Sequence, residues 1–177
     1  MKTSFASLVV IGAMLLSARA ADVTAKISSV HLCCSSCVNL AEKTVADKAP
    51  GAKAVADQDA EAITLTGPDI ATVQKAADAL VKAGFFGKSG NPDIKISADT
   101  GAKGQMVQTL EDSHVHICCN SCVKAVNAAL KDVPGVKATT GIAKNAKTFQ
   151  VTGDFKDSDV FAALQKAGLT GKVGAGD

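Results

Sequence analysis

Tryptophan and tyrosine are absent, and the only arginine is Arg19. Nucleic-acid binding draws on a basic face, arginine forks and stacking aromatics. Those absences argue against a nucleic-acid partner. Charge of one sign is lacking too: 19 basic residues face 17 acidic ones, so the scattered lysines read as a solvated surface. No Ser-His-Asp context, phosphate-cradling glycine loop or pair of inward carboxylates can be picked out. Aspartates and glutamates read as lying on helix exteriors and turns, and no enzyme is expected. Beyond residue 20, no apolar run has the length a bilayer span needs.

What is present is concentrated. All six cysteines lie in Val30-His31-Leu32-Cys33-Cys34-Ser35-Ser36-Cys37-Val38 and in Val115-His116-Ile117-Cys118-Cys119-Asn120-Ser121-Cys122-Val123, which follows 85 residues later. A core does not need thiols gathered in two short clusters. Soft-metal binding or thiol redox chemistry does. Each copy holds a Cys-x-x-Cys pair, Cys34 with Cys37 and Cys119 with Cys122. If the second cysteine falls in the first turn of a helix, both sulfurs reach one point beyond the helix N-terminus, where unpaired N–H groups and the macrodipole favour thiolate. Thiolate binds metal, and two sulfurs suit Cu(I), since soft ligands select soft ions. Zinc wants four ligands. Cys33 and Cys118 could add a third sulfur, and His31 and His116 a fourth ligand. Beside this stands a plainer reading: each pair closes a small disulfide. Three cysteines per copy would then leave one over, and a Cys33–Cys34 bridge between neighbours is strained. On a strand, His31 points away from Val30 and Leu32. His31 and His116 therefore read as solvent-facing. His114 has no counterpart, since Ser29 aligns with it.

Residues 1–20 read as a signal peptide: Lys2, an apolar run from Leu8 to Leu16, and Ala18-Arg19-Ala20 as a cleavage site. Their removal takes Lys2 and Arg19 and no acid, so the mature chain is formally neutral. A secreted or periplasmic location follows, with oxidising surroundings for the cysteines.

The hydrophobic period predicts a strand over 26–32, then a helix over 36–48 with Val38, Ala41 and Val45 on one face. Pro50-Gly51 ends it. A hairpin follows, 53–57 and 62–66, with Ile63 and Leu65 inward. A second helix starts at Gly67-Pro68-Asp69 and carries Ile70, Val73, Ala77 and Leu80 on its buried stripe. Gly84 caps it, and Phe85-Phe86 opens a last strand. The second copy repeats this: a strand in 109–117, a helix over 121–133 with Val123, Val126, Leu130 and Val133, a hairpin of 136–139 and 148–152, and a helix over 158–167 closed by Gly168. Leu169 stands where Phe85 stood. Matched Pro-Gly, Thr-Gly and Ala-Gly steps make this a true repeat. Residues 91–106, rich in glycine and polar residues, read as a linker with one short strand at Ile94-Lys95-Ile96. The end, 174–177, is expected to fray.

Each copy resembles a heavy-metal-associated domain, the family of copper chaperones and of the N-terminal modules of metal-transporting ATPases. Its signature is Met-x-Cys-x-x-Cys between first strand and first helix. Leu32 to Cys37 and Ile117 to Cys122 match it with Leu and Ile at the Met position. Pro134-Gly135-Val136 and Gly84-Phe85 fit its later landmarks. The resemblance implies an α+β chain of two tandem ferredoxin-like βαββαβ domains, at 21–90 and 107–177. It also implies that Cys34, Cys37, Cys119 and Cys122 are the metal pairs. Cys33 and Cys118 fall where the family usually has no cysteine, and with them the six form the expected metal set.

The expected function is an exported, monomeric soft-metal carrier. Cu(I) comes first and Zn(II) or another thiophilic ion second. A surface-exposed thiolate pair in each domain would exchange the ion with a donor or acceptor protein. The alternatives are a cell-envelope structural or interaction module with inert disulfides, and a thiol–disulfide redox protein. If the two clusters face each other, four cysteines from two domains could enclose one zinc.

Overall fold

A computed structural model of the chain describes residues 21–174. The expected signal peptide and residues 175–177 lie outside them. The first half contains β1 (Val23–Ser28), α1 (Ser35–Lys48), β2 (Lys53–Asp57), β3 (Ala62–Gly67), α2 (Ile70–Lys82) and β4 (Lys88–Ser89). The second half contains β5 (Met106–Ser113), α3 (Asn120–Lys131), β6 (Val136–Thr140), β7 (Thr148–Lys156), α4 (Asp157–Lys166) and β8 (Lys172–Val173). Each half folds into a four-stranded antiparallel sheet, ordered β2-β3-β1-β4 and β6-β7-β5-β8. That is the ferredoxin-like order, twice over, in the α+β class expected.

The two-residue period of the strands sets each core. Ala25 and Ile27 point inward from β1 and meet Leu65 and Ile63 of β3 at the paired positions. Cys37, Ala41 and Val45 bury one stripe of α1, and alanines let α2 lie close to the sheet. Asp69 caps α2, its carboxylate accepting the Thr72 N–H at 2.7 Å, which offsets an orphan donor of the first turn. Ile70 departs from its expected place. It is the first residue of α2 and stays 47% exposed, because the stripe begins one turn later at Val73. Val123 is only half-buried.

Three other expectations change. The stretch at 94–96 forms no strand. Ile94 is buried, and the Gln74 side-chain amide pairs with the Lys95 backbone in both directions, each bond 2.8 Å. The side chain does what a neighbouring strand would have done. Farther on, the Asp157 carboxylate accepts the N–H groups of Lys103 at 2.8 Å and Gln105 at 2.9 Å. Those donors, working against burial, hold its pKa below the usual carboxylate range. The segment read as a linker is thus pinned to both halves. At the far end, Gly174 donates to the Glu111 carbonyl at 2.9 Å and is tied to β5.

The third change concerns acids. Asp112 is fully buried, at the position where the first half has the core residue Ile27. Its Oδ1 accepts the Lys172 N–H at 3.1 Å, while Oδ2 has no partner among the described residues. Burial pushes the carboxyl up to about 8. Between the ordinary value and that one, the folded chain keeps a proton that the unfolded chain has released. Stability therefore falls as pH rises through this window, by at most about 1.4 kcal/mol per pH unit. Asp112→Asn keeps the shape and removes the proton. Urea unfolding at a series of pH values should show a flatter profile for this variant than for the parent. An equal slope in both would place the pH dependence elsewhere.

Candidate metal centre

Each cysteine loop is cut from its strand by one left-handed residue. Ser29 has φ +59° and His114 has φ +65°, at matching places in the two copies. This step breaks the strand's alternation and turns the following residues across the sheet end. The alternation therefore does not hold for the two histidines. His116 is buried, and His31 is half-buried with a fully enclosed Nε2. Neither is a solvent-facing strand residue. His114 itself stays exposed, and its contribution is the backbone turn.

Val30 and Leu32, and Val115 and Ile117, are buried and anchor the loops. Hairpin tips hold them from the side. Val30 N–H donates to the Glu61 carbonyl at 2.9 Å, and Asn145 N–H donates to the Ile117 carbonyl at 2.7 Å. Cys34 is the N-cap of α1 and Cys119 the N-cap of α3. Cys37 and Cys122 fall in the first turns, as the spacing predicts.

The two loops meet. The link is reciprocal and built on the glycines that close α2 and α4. Thr170 N–H donates to the Gly84 carbonyl at 3.0 Å. Phe86 N–H and His31 N–H donate to the Gly168 carbonyl at 3.1 and 3.2 Å. Phe85 and Leu169 pair as an antiparallel bridge between the halves. Gly84 has φ +88° and Gly168 φ +77°, a region that penalises any Cβ. Space is the second reason for glycine. A Cβ on Gly84 would sit 2.5 Å from the His114 carbonyl oxygen and the His116 nitrogen, and one on Gly168 would sit 2.5 Å from the His31 nitrogen. The end of each second helix thus packs against the cysteine loop of the other half. Sequence reading found these glycines as helix caps and missed this role, because nothing local reveals it.

All six candidate cysteines come together in one cluster. Within the first copy, Cys33–Cys37 and Cys34–Cys37 are 3.6 and 3.5 Å apart, sulfur to sulfur. Within the second, Cys118–Cys122 and Cys119–Cys122 are 3.8 and 3.7 Å apart. Between copies, Cys33 lies 3.3 Å from Cys119 and 3.5 Å from Cys122. Cys118 lies 3.6 Å from Cys34 and 3.3 Å from Cys37. Cys37 and Cys122 meet at 3.9 Å. Exchanging the copies maps every contact onto another, a local two-fold. The cysteines are unbridged, and these separations exceed a disulfide bond of about 2.05 Å by far. His116 Nε2 lies 3.3 Å from Cys37 Sγ, and its ring stacks on Phe85 with centroids 4.6 Å apart. His31 Nε2 has no hydrogen-bond partner among the described residues, and a ring nitrogen of His31 lies within 4.8 Å of the sulfurs of Cys33 and Cys122.

The expectation of a surface-exposed pair in each half is corrected here. Cys37 and Cys122 are fully buried at the centre, and the other four are half-buried around them. An open groove lined by Leu40, Lys82, His116 and Lys147 reaches Cys118.

Crowding sets the acidity. Cys37 and Cys122 titrate as a pair. The adjacent Cys37 thiol draws Cys122 down, and Cys37 is driven up by its Cys122 neighbour and by burial. Burial raises Cys33 as well, and raises Cys118 to about 12. Burial opposes ionisation at Cys34 too, but the Cys37 N–H and the Cys37 and Cys118 thiols outweigh it and bring Cys34 to about 6. So many buried sulfurs cannot all be thiolates without a cation among them. The donor set fits a thiophilic ion: six sulfurs, two imidazoles, and one enclosed ring nitrogen lacking a partner.

No protein-family model matches the sequence, and no curated protein matches it. Among solved structures, the chain is similar to the copper(I)-loaded first domain of the human copper chaperone for SOD1, CCS. That match is 28% identical over 41% of this chain and 97% of the other, with a TM-score of 0.34. The apo heavy-metal-associated domain of a copper chaperone for superoxide dismutase is 29% identical over 51% of this chain and 89% of the other, TM-score 0.34. The N-terminal soluble domains of Bacillus subtilis CopA are 16% identical over 87% of this chain and 95% of the other, TM-score 0.33. The fold assignment rests on the chain's own strand order.

Gly84→Ala and Gly168→Ala should separate the two loops. The expected results are a loss of about 1–3 kcal/mol of stability and faster thiol labelling of Cys37 and Cys122. Gly101→Ala is the control, because it has φ +72° but its nearest neighbour would be 3.6 Å away. It should strain the backbone without changing the labelling. Equal labelling in all three variants would show that the glycines do not hold the interface.

Proposed function

We propose that the chain is an exported, non-enzymatic protein that binds a thiophilic metal ion, Cu(I) first, and buffers it or exchanges it with another protein. One observation carries this reading. All six thiols and both loop histidines converge on one site, with the sulfurs at 3.3–3.9 Å from their neighbours. With metal–sulfur bonds of about 2.3 Å, a tetrahedral edge is about 3.8 Å and a trigonal edge about 4.0 Å. The longest separations, 3.7–3.9 Å, match a tetrahedral edge, and the shortest, 3.3 Å, fall about 0.5 Å inside it. The excess of sulfur over imidazole and carboxylate favours a soft monovalent ion. The resemblance of both loops to heavy-metal-associated signatures points the same way. The half-buried Cys34 and Cys119 are the places where a partner's thiolate could take over an ion. Export rests on Lys2, the apolar run and Ala18-Arg19-Ala20, and places the protein outside the cytoplasm.

A second reading has its own observation. Cys37, His116, Cys118 and Cys122 bring four ligand atoms within 4.8 Å of one another. Three cysteines and a histidine form a structural zinc set.

Anaerobic titration of the reduced protein with Cu(I) and with Zn(II), each against a chelator, separates the two. Cu(I) should be held more tightly. Cys34→Ser combined with Cys37→Ser should bind at most half as much Cu(I) as the parent. Parent-level binding by that variant, or tight binding of one zinc with no Cu(I), would overturn the copper reading. The mass of protein recovered outside the cell tests the export step, which predicts loss of residues 1–20.

A further inference from the structure

We infer that the two loops form one polynuclear Cu(I)–thiolate site, shared across the two halves of the chain, rather than one mononuclear site in each. The inference rests on the metal-binding reading above and goes beyond it in ligand set and ion number.

The sulfur contacts define four triangular faces. They are Cys33-Cys119-Cys122, Cys33-Cys37-Cys122, Cys37-Cys118-Cys122 and Cys34-Cys37-Cys118. Every face mixes sulfurs of both copies. None lies within one half. A three-coordinate ion on any of these faces draws on both halves; the one triple within a half, Cys33-Cys34-Cys37, is looser, with its sulfurs within 4.8 Å and no Cys33–Cys34 contact. The distances decide against separate two-coordinate sites. A linear S–metal–S unit spans about 4.6 Å with bonds of about 2.3 Å, yet Cys34–Cys37 and Cys119–Cys122 are 3.5 and 3.7 Å apart. The face edges of 3.3–3.9 Å fall about 0.1–0.7 Å short of the trigonal value, a smaller gap than the roughly 0.9–1.1 Å that separates the pairs from a linear unit.

Cys33 and Cys118 are what make the cluster continuous. Each touches both partners across the interface, at 3.3–3.6 Å. Without them, only Cys37 and Cys122 meet, at 3.9 Å. The histidines cross over as well. His116 of the second half approaches Cys37 of the first, and His31 of the first approaches Cys122 of the second. Each is placed to close one end of the cluster.

The charge cost falls on the first ion. Six thiols lose six protons to solvent when loaded. One Cu(I) on a face displaces three thiol protons and leaves a net charge of −2, whereas each further ion on an adjoining face displaces one more and adds no net charge, so four ions on six thiolates still leave −2. Burial makes that first net charge costly, and later ions do not add to it. Binding is therefore cooperative, with partly loaded chains scarce.

The test is anaerobic titration of the full chain with Cu(I), followed by non-denaturing mass spectrometry and X-ray absorption. The expected result is a jump from the metal-free chain to species with three or four ions, with one- and two-ion species under-populated. A short metal–metal vector should appear in the absorption spectrum. Cys33→Ser combined with Cys118→Ser leaves both Cys-x-x-Cys pairs intact. It should cap loading at two ions and abolish the metal–metal vector. Because the parent's own titration is read first, a folding defect in the variant cannot hide the answer. Two ions bound independently by the parent, and unchanged in the variant, would overturn the shared cluster and leave the metal-binding reading standing. Failure of the reduced parent to bind Cu(I) at all would remove that reading, and the cluster with it.

Discussion

The structure depends on a reciprocal handshake of backbone. The C-terminal glycine of each second helix lies against the cysteine loop of the opposite half, with carbonyls of Gly84 and Gly168 accepting N–H groups across the gap. Two ferredoxin-like units of this size have thin cores and little apolar surface to spare. Docking through helix ends and loops needs few apolar residues. It does need close approach, and a Cβ at either glycine would prevent it.

The sulfur cluster is a consequence of that approach. Each loop sits one left-handed residue beyond its strand, at Ser29 or His114, and each leads into a helix whose N-cap is a cysteine. Once the loops are opposed, no thiol can be alone. Their mutual burial spreads the acidities, from the lowered Cys34 and Cys122 to the raised Cys33, Cys37 and Cys118. A bound cation resolves this conflict by replacing protons throughout. The same crowding keeps Cys37 and Cys122 from solvent and leaves Cys34 and Cys119 half-buried at the rim.

The segment between the units shows how polar side chains substitute for secondary structure. Gln74 pairs with the Lys95 backbone as a strand would, and Asp157 gathers the N–H groups of Lys103 and Gln105. Glycine and polar content suggested a free linker. Composition does not register that two distant side chains have the right donors and acceptors. Asp112 is a similar case, a carboxylate in the place of the core residue Ile27, where pattern reading expects acids outside.

Local chemistry was legible in the residues. Apolar alternation and helical stripes placed the four helices and both hairpins close to their observed spans, while the two entry strands were read three to four residues late and the short last strands, Lys88–Ser89 and Lys172–Val173, had no span of their own. The repeat required two like units. The Cys-x-x-Cys spacing put one sulfur at each N-cap and another in the first turn, because helix geometry is local. Opposition of the loops was decided only by tertiary structure, since it depends on hydrogen bonds such as Thr170 to Gly84 between residues far apart in the chain. The left-handed step at Ser29 and His114 redirected the histidines against the strand pattern, and neither residue type demands that conformation. The chain thus carries its cysteines in plain sight, while their grouping into one cluster arises from contacts that no short stretch encodes.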